Sequence, residues 1–500
     1  MQFAQLVPES EAIRRMGPPD IDVAGLAYRH QEVKPGWLFA AIPGAHVDGH
    51  EFIPQAIEAG ANALIVQKAS FSLSPNVAVA VVENSRKTLA KAAGRFFGHP
   101  SRSMEVIGIT GTNGKTTTAF LIESILREGG RNPAVVGTIN YRLGDVVRPA
   151  PVTTPESVDL QGMLAEMLSM GADGAIVEVS SHALHQGRVW GLKFAARCYT
   201  NLSRDHLDYH DSMGSYFEAK SRLFTDPEFA DSGPSAVNVD DPWGVTLLEK
   251  IGPGAISYGI ENAGATIRAV DWSADEKGIN LRVSTPGWED ELRSDLLGRL
   301  NVYNVLAAVA VAEALKVDFE AVKRGVESLY AVPGRLEPIS NSRGITILVD
   351  YSHTPDALEK AMSAVREFTR GRLFVVIGCG GDRDRGKRSI MGKIAAENAD
   401  IAVITSDNPR SENPTAIISE ILDGVGETGS KRVEVGRNSL EQNVHWVEPN
   451  RRDAIFQAIK EAGKGDTVLI AGKGHENYQI LGDRRIHFDD REVAREALEE

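Results

Sequence analysis

Residues 104–119 read MEVIGITGTNGKTTTA, an apolar run that passes through a Gly-rich loop into a Lys-Thr pair and a helical pattern. Val106, Ile107 and Ile109 predict a buried strand, and Leu121, Ile122, Ile125 and Leu126 recur at helical spacing behind the loop. In a strand–loop–helix unit of this kind, backbone N–H groups and the helix N-terminus face a phosphate. Within Gly111 to Thr117, the sequence GTNGKTT, Lys115 is expected to reach the outer phosphates and the Thr116 hydroxyl to sit on Mg²⁺. Ile109 occupies the place of the first glycine of the usual G-x-x-x-x-G-K-T spacing, so the loop is a variant of that motif. A Gly-rich turn alone is often only a loop. With the strand, the Lys-Thr pair and the helix beside it, nucleotide binding is the expectation.

Outward from this unit, apolar runs alternate with helical segments, which predicts an α/β chain with largely parallel sheets. The runs are ANALIV (61–66), VAVAVV (77–82), GAIVEVS (174–180), ITILVD (345–350), LFVVIG (373–378), IAVITS (401–406) and TVLIAG (467–472). A helical segment is expected from Val305 to Leu329. Turns at Gly98–Ser101 and at Val332–Arg335 divide the chain into residues 1–100, 101–333 and 334–500, the last with a doubly wound pattern of four strands. Five hundred residues suit several cores rather than one. A net charge of −14 argues against nucleic acid or an anionic membrane as the main partner. Two distant cysteines, Cys198 and Cys379, exclude a disulfide framework and fit a reducing cytoplasm. No apolar run is long enough for a transmembrane helix, and the N-terminus has no signal-peptide pattern.

Four further segments carry candidate chemistry. Glu178 ends a strand run beside the phosphate loop, a position suited to Mg²⁺. NLSRDHLDYH (201–210) packs His and Asp closely enough for one His to join it. GGDRDRGKR (380–388), SDNPRSENP (406–414) and AGKGHENYQ (471–479) each follow a strand run, so three polar loops meet at one sheet edge. There Arg410 offers a fork to a carboxylate and Asp407 an acceptor to an ammonium, which suits an amino acid. Lys220 lies beside an apolar helical stripe of Tyr216, Phe217, Leu223 and Phe224, where a lysine ordinarily snorkels to the surface.

In one unbroken order from Val33 onward, the chain carries VKPGWLFAAIPGAHVDGHEF, GITGTNGKTTT, TTPES, EVSSHALHQGRV, TNLSRDHLDYH, AKSRLF, LNVYNVLAA, PGRLE, VDYSHTPD, GCGGDRDRGKR, TSDNPRSE and IAGKGHE. This series resembles the Mur ligases of peptidoglycan synthesis, in their diaminopimelate-adding branch. The resemblance implies three domains: a small N-terminal α/β domain for the UDP end of the substrate, a central phosphate-loop domain for ATP, and a C-terminal Rossmann-like domain for the incoming amino acid. It implies a cytoplasmic, monomeric enzyme that uses ATP and Mg²⁺ to join meso-2,6-diaminopimelate to the D-Glu γ-carboxylate of UDP-MurNAc-L-Ala-D-Glu. L-lysine is the alternative acceptor.

Residue by residue, the resemblance puts Gly111, Thr112, Asn113, Gly114, Lys115, Thr116 and Thr117 on the ATP phosphates. Asn301 and Asn304 fall at the adenine, Arg335 at the γ-phosphate and Asp350 at the ribose. Thr116, Glu178, His206 and Lys220 hold Mg²⁺, Lys220 as an N-carboxylated lysine, which reverses its reading as a surface residue. Thr153, Thr154, Ser180, Gln186 and Arg188 bind the muramoyl dipeptide. Arg383, Asp407, Asn408, Pro409, Arg410, Gly472 and Glu476 bind diaminopimelate, whose extra carboxylate an Arg at 410 pairs. The sequence departs from the family at Arg29-His30-Gln31, where Asp-Ser-Arg is usual; His30 then stands in the place of the serine that contacts the uridine nucleotide.

Overall fold

The computed structural model describes residues 1–44, 47–68, 75–434 and 443–500, so Ala45 and His46 of the first family segment lie outside it. The described strands form three main sheets, each drawn from one stretch of chain, and a two-stranded hairpin, Tyr478–Leu481 with Arg484–His487. The first sheet has five strands in the order Arg14–Met16, Ala78–Val81, Ala63–Val66, Trp37–Ala40, Gly25–Ala27, parallel except for the first pair.

The second sheet has eleven strands. Its parallel centre runs Ile267–Asp275, Ile256–Gly259, Ser235–Asn238, Ala196–Tyr199, Glu105–Thr110, Gly174–Glu178, Pro133–Val136, with antiparallel hairpin strands added at both ends. Strands covered on both faces need apolar residues at every position, which is why they read as continuous apolar runs. Register puts Glu178 opposite Ile109, two residues before the glycine loop. Helix Lys115–Glu128 buries Leu121, Ile122, Ile125 and Leu126 on this sheet.

The third sheet orders Glu337–Pro338, Thr346–Asp350, Thr467–Ala471, Leu373–Ile377, Ile401–Ile404, Val444–Val447 and Lys431–Arg432, parallel after the first pair. Val444–Val447 adds a fifth apolar strand to the four expected. The seven expected runs are all strands, shortened at one or both ends where the chain enters a turn. The helix expected over 305–329 is instead two, Arg299–Ala314 and Phe319–Ser328. Lys316 takes a left-handed φ of 54°, which ends the first, and the Asp318 side chain accepts from Glu320 N to begin the second. No helix among the described residues is long and apolar enough to cross a membrane.

Candidate functional site

The glycine loop enters helix Lys115–Glu128 through Gly114, whose φ of 86° and missing side-chain cap leave the first helical N–H groups without a side-chain acceptor. A Cβ at Gly111 would collide with Thr200 Oγ1, and one at Gly114 with Asn304 Oδ1, so neither loop position admits a side chain. Thr200 Oγ1 donates to Asn113 O at 2.6 Å and fixes the loop from the neighbouring strand end. Lys115 Nζ folds back on the loop carbonyls of Gly111 and Thr112, both at 2.9 Å. Burial lowers its basicity, with Arg335 adding to the effect and Glu178 opposing it.

The loop from Thr112 to Thr117 lines a cavity of about 330 Å³ together with Asn301, Asn304, Arg335 and Asp350, so the structure brings the residues expected at the nucleotide to one space. Asn304 Nδ2 donates to Asn301 Oδ1 at 2.8 Å on the same helix face. Asp350 accepts from Leu336 N and Ser352 N at 2.8 and 2.9 Å, which fixes its carboxylate at the strand end. Arg335 Nη2 approaches Thr116 Oγ1 at 3.4 Å, and its buried Nε has no partner among the described residues. An unpaired guanidinium nitrogen, Lys115 bound only to carbonyls and uncapped helical N–H groups together fit an anionic phosphate. Asp356, which the sequence reading did not single out, ties the third sheet's first helix to this loop. It accepts from Asn113 Nδ2 at 3.2 Å and from Ser203 Oγ at 2.7 Å.

Glu178 sits buried beside the loop and accepts three hydrogen bonds: from Thr116 Oγ1 at 3.0 Å, Thr138 N at 3.0 Å and Thr138 Oγ1 at 2.9 Å. Thr138 was not legible from sequence, because its turn follows an unremarkable strand. Thr153 Oγ1 lies 3.1 Å from Thr138 Oγ1. Thr154 Oγ1 donates to Glu178 O at 2.8 Å and accepts from Ser180 N at 3.0 Å. Arg188 then joins this group, donating to Thr154 O at 2.8 Å and to Gln186 Oε1 at 2.7 and 3.0 Å. The five expected dipeptide residues therefore form one connected patch next to Glu178. His30 lies in the first unit, stacked on Phe52 with centroids 4.4 Å apart.

Composition places Lys220 on the surface, and the structure overturns that. Lys220 is buried at 1% exposure, and its Nζ donates to Gly111 O at 2.7 Å. Helix Met213–Thr225 turns it inward along with Tyr216 and Phe217. Burial, and Lys115 nearby, push its amine well below the ordinary lysine range. His206 has a left-handed φ of 53°, lies 3.5 Å from Asp205, and packs edge-on to His182 at 4.9 Å. Burial lowers its basicity, against the pull of Asp205, and favours the neutral ring that ligates metals. Among the described residues no three His, Cys, Asp or Glu side chains converge as a metal cage. One carboxylate, a hydroxyl and a neutral imidazole beside a phosphate loop instead fit Mg²⁺, which keeps waters and takes oxygen from phosphate.

At the third sheet, strands Leu373–Ile377, Ile401–Ile404 and Thr467–Ala471 end together. Their loops interlock: Asn408 Nδ2 donates to Glu476 Oε2 at 2.9 Å, and Ser411 Oγ to Asp382 Oδ1 at 2.7 Å. A Cβ at Gly381 would collide with the Pro409 carbonyl, so the two loops meet backbone to backbone. Gly472 faces Asp407, whose Oδ2 would lie 3.4 Å from a Cβ there. Arg388 is consumed by Glu412 and Glu420. Arg383 and Arg410 are not: among the described residues their guanidinium groups meet only carbonyls, of Asp382 (3.0 Å) for Arg383 and of Gly381 (2.8 Å) and Asn408 (3.5 Å) for Arg410. Two guanidinium groups without a carboxylate partner among the described residues, on loops that also carry Asp407 and Glu476, are a charge pattern suited to an ionised amino acid. Sequence reasoning passed over Lys473, which is fully buried among these loops.

The fold and its two sites thus define a nucleotide-dependent enzyme of the ligase type, and comparison with known proteins agrees. Residues 22–97 match the Mur ligase family catalytic domain, 109–312 the Mur ligase middle domain, and 334–474 the Mur ligase glutamate ligase domain. The chain belongs to the Mur ligase family. It is 44% identical to a UDP-N-acetylmuramoyl-L-alanyl-D-glutamate--2,6-diaminopimelate ligase of Geobacter metallireducens, over 100% of this chain and 98% of that one. It is 46% identical to the ligase of the same name from Gloeobacter violaceus, covering 96% and 94%. A solved structure of such a ligase superposes with a TM-score of 0.72 at 30% identity, covering 100% and 99%.

Proposed function

We propose that the chain is the ligase that joins meso-2,6-diaminopimelate to the γ-carboxylate of UDP-MurNAc-L-Ala-D-Glu, with ATP as energy source, as a cytoplasmic monomer. Residues 1–100 hold the UDP end with His30, 101–333 bind ATP and the dipeptide, and 334–500 present the amino acid. Arg410 carries the choice of acceptor: among the described residues its guanidinium has only the Gly381 and Asn408 carbonyls as partners, and it awaits a carboxylate that diaminopimelate has and lysine lacks. The full-length relatives named for this reaction support the same reading.

A free carboxylate is a poor electrophile. In this mechanism a γ-carboxylate oxygen attacks the terminal phosphorus of ATP, the bond to the bridging oxygen breaks and ADP leaves. The diaminopimelate amine then attacks the acyl phosphate carbon, phosphate departs from the tetrahedral intermediate, and the amine's proton passes to solvent. Lys115 and Arg335 face the charge that accumulates on the transferred phosphoryl group. Bound Mg²⁺, held by Thr116, Glu178, His206 and carboxylated Lys220, would neutralise phosphate charge. Lys220 suits this role because its buried, weakly basic amine is available unprotonated to condense with CO₂, releasing a proton. The Asp356 contact holds the nucleophile's domain against the phosphate loop, which limits water's access to the acyl phosphate.

Phosphate release with UDP-MurNAc-L-Ala-D-Glu and ATP-Mg²⁺ tests this, run with meso-diaminopimelate, with L-lysine and without acceptor. Turnover with diaminopimelate alone is expected. Turnover with lysine instead would keep the chemistry and overturn the acceptor, and silence with both would overturn the reaction.

A further inference from the structure

We propose that Lys473 is a specificity-determining positioning residue of the amino-acid pocket, setting a pocket charge that matches a dicarboxylic diamino acid and disfavours a monocarboxylic one. The inference rests on the functional reading above and extends it to a residue outside the recognised binding set.

Lys473 is fully buried, and its Nζ faces three side-chain oxygens: Asn408 Oδ1 at 3.3 Å, Glu476 Oε2 at 3.4 Å and Asp407 Oδ1 at 3.5 Å. An ammonium group has three donors and accepts nothing, so this lysine is committed to the pocket's acceptors and binds no substrate itself. It also spans two loops, since Asp407 and Asn408 follow one strand while Glu476 follows another. Asp407 is the group expected to receive a ligand ammonium, and Glu476 is expected to bind the same amino acid.

Charge arithmetic gives the consequence. Asp407 and Glu476 contribute two negative charges; Lys473, Arg410 and Arg383 contribute three positive ones, leaving the pocket at plus one. Diaminopimelate poised for attack, with its reacting amine neutral, carries two carboxylates and one ammonium, and so is minus one. Lysine in the same state carries one of each and is neutral. With Lys473 the pocket complements diaminopimelate, and without it the pocket becomes neutral and complements lysine. Discrimination of this sort works through the mismatch imposed on the wrong partner as much as through attraction to the right one.

The experiment compares wild type, Lys473→Met and the charge-retaining Lys473→Arg, each with diaminopimelate and with L-lysine. For Lys473→Met, the ratio of kcat/KM for diaminopimelate over lysine is expected to fall by about tenfold or more, carried by the KM for diaminopimelate. The KM for ATP should stay within about twofold, since the nucleotide cavity is lined by other residues. Lys473→Arg should retain part of the ratio. Equal losses for both acceptors, or the same loss of ratio in Lys473→Arg as in Lys473→Met, would reduce Lys473 to a structural role and overturn the proposal. If thermal melting shows Lys473→Met unfolded, Lys473→Arg alone carries the test, and a lost preference there overturns the proposal. Wild type assayed alongside separates the two readings: no turnover there with either acceptor would count against the reaction, not the charge assignment.

Discussion

Lys220 Nζ donates to the Gly111 carbonyl at 2.7 Å although 109 positions separate them. The bond joins helix Met213–Thr225 to the first residue of the phosphate loop and puts a buried amine where the transferred phosphoryl group is expected. A buried lysine whose only close hydrogen-bond partner among the described residues is a carbonyl is costly for stability alone, because the charged form loses its hydration.

Lys220→Ala should therefore leave the fold intact and reduce phosphate release by about 100-fold or more, the scale of losing one preorganised electrostatic group. A small carboxylic acid added to the assay should restore part of the rate by supplying the missing anion. A fully active variant would rule out the carbamate.

Arg410→Ala should raise the KM for diaminopimelate by roughly 10- to 100-fold, the loss of a charge-assisted hydrogen-bond pair worth about 1.5–3 kcal/mol. The KM for ATP should hardly move. Steady-state kinetics with each substrate varied in turn checks this, and equal changes in both constants would detach Arg410 from acceptor recognition.

The third sheet is anchored by a wholly buried pair, Arg451 with Asp490, bonded through two nitrogens at 2.8 and 2.6 Å. Arg451→Met strands the Asp490 carboxylate, which costs about 3–5 kcal/mol. Differential scanning calorimetry should show the transition of this part of the chain lowered by roughly 6–20 °C, while Arg451→Met/Asp490→Leu recovers much of it.

His475 gives a pH dependence with a definite sign. Burial, with Arg335 and Arg491 nearby, pushes its imidazole down to about 3. The unfolded chain takes up its proton near 6.5, and the folded chain takes it up only near 3. Unfolding therefore binds a proton between these values, and stability is highest above pH 6.5 and declines as pH falls toward 3, by at most about 1.4 kcal/mol per pH unit. Thermal melts at pH 7, 6 and 5 should show the decline, and His475→Asn should make it shallower, the rest coming from His182 and His210, which burial also holds down.

The sequence by itself determined what depends on neighbours along the chain. The apolar runs became the central strands because a strand buried on both faces needs an apolar residue at every step. Gly111 to Thr117 was legible as a phosphate loop because strand, turn and helix N-terminus are consecutive. The one helix expected over 305–329 failed for a local reason that periodicity does not register, a left-handed Lys316 followed by a capping Asp318. The ordered segments were sufficient to mark the family.

Tertiary structure decided the environments of single polar groups. Lys220 and Lys473 look alike on paper, lysines near apolar or glycine-rich sequence, and both are buried for reasons that lie in other segments: the Gly111 carbonyl for one, Asp407 and Asn408 for the other. Thr138 and Asp356 gained their places in the same way, against Glu178 and Asn113. Whether a charged side chain is solvated, paired or left unpaired depends on which distant strand ends the sheet order brings beside it, and that order is a property of the folded chain.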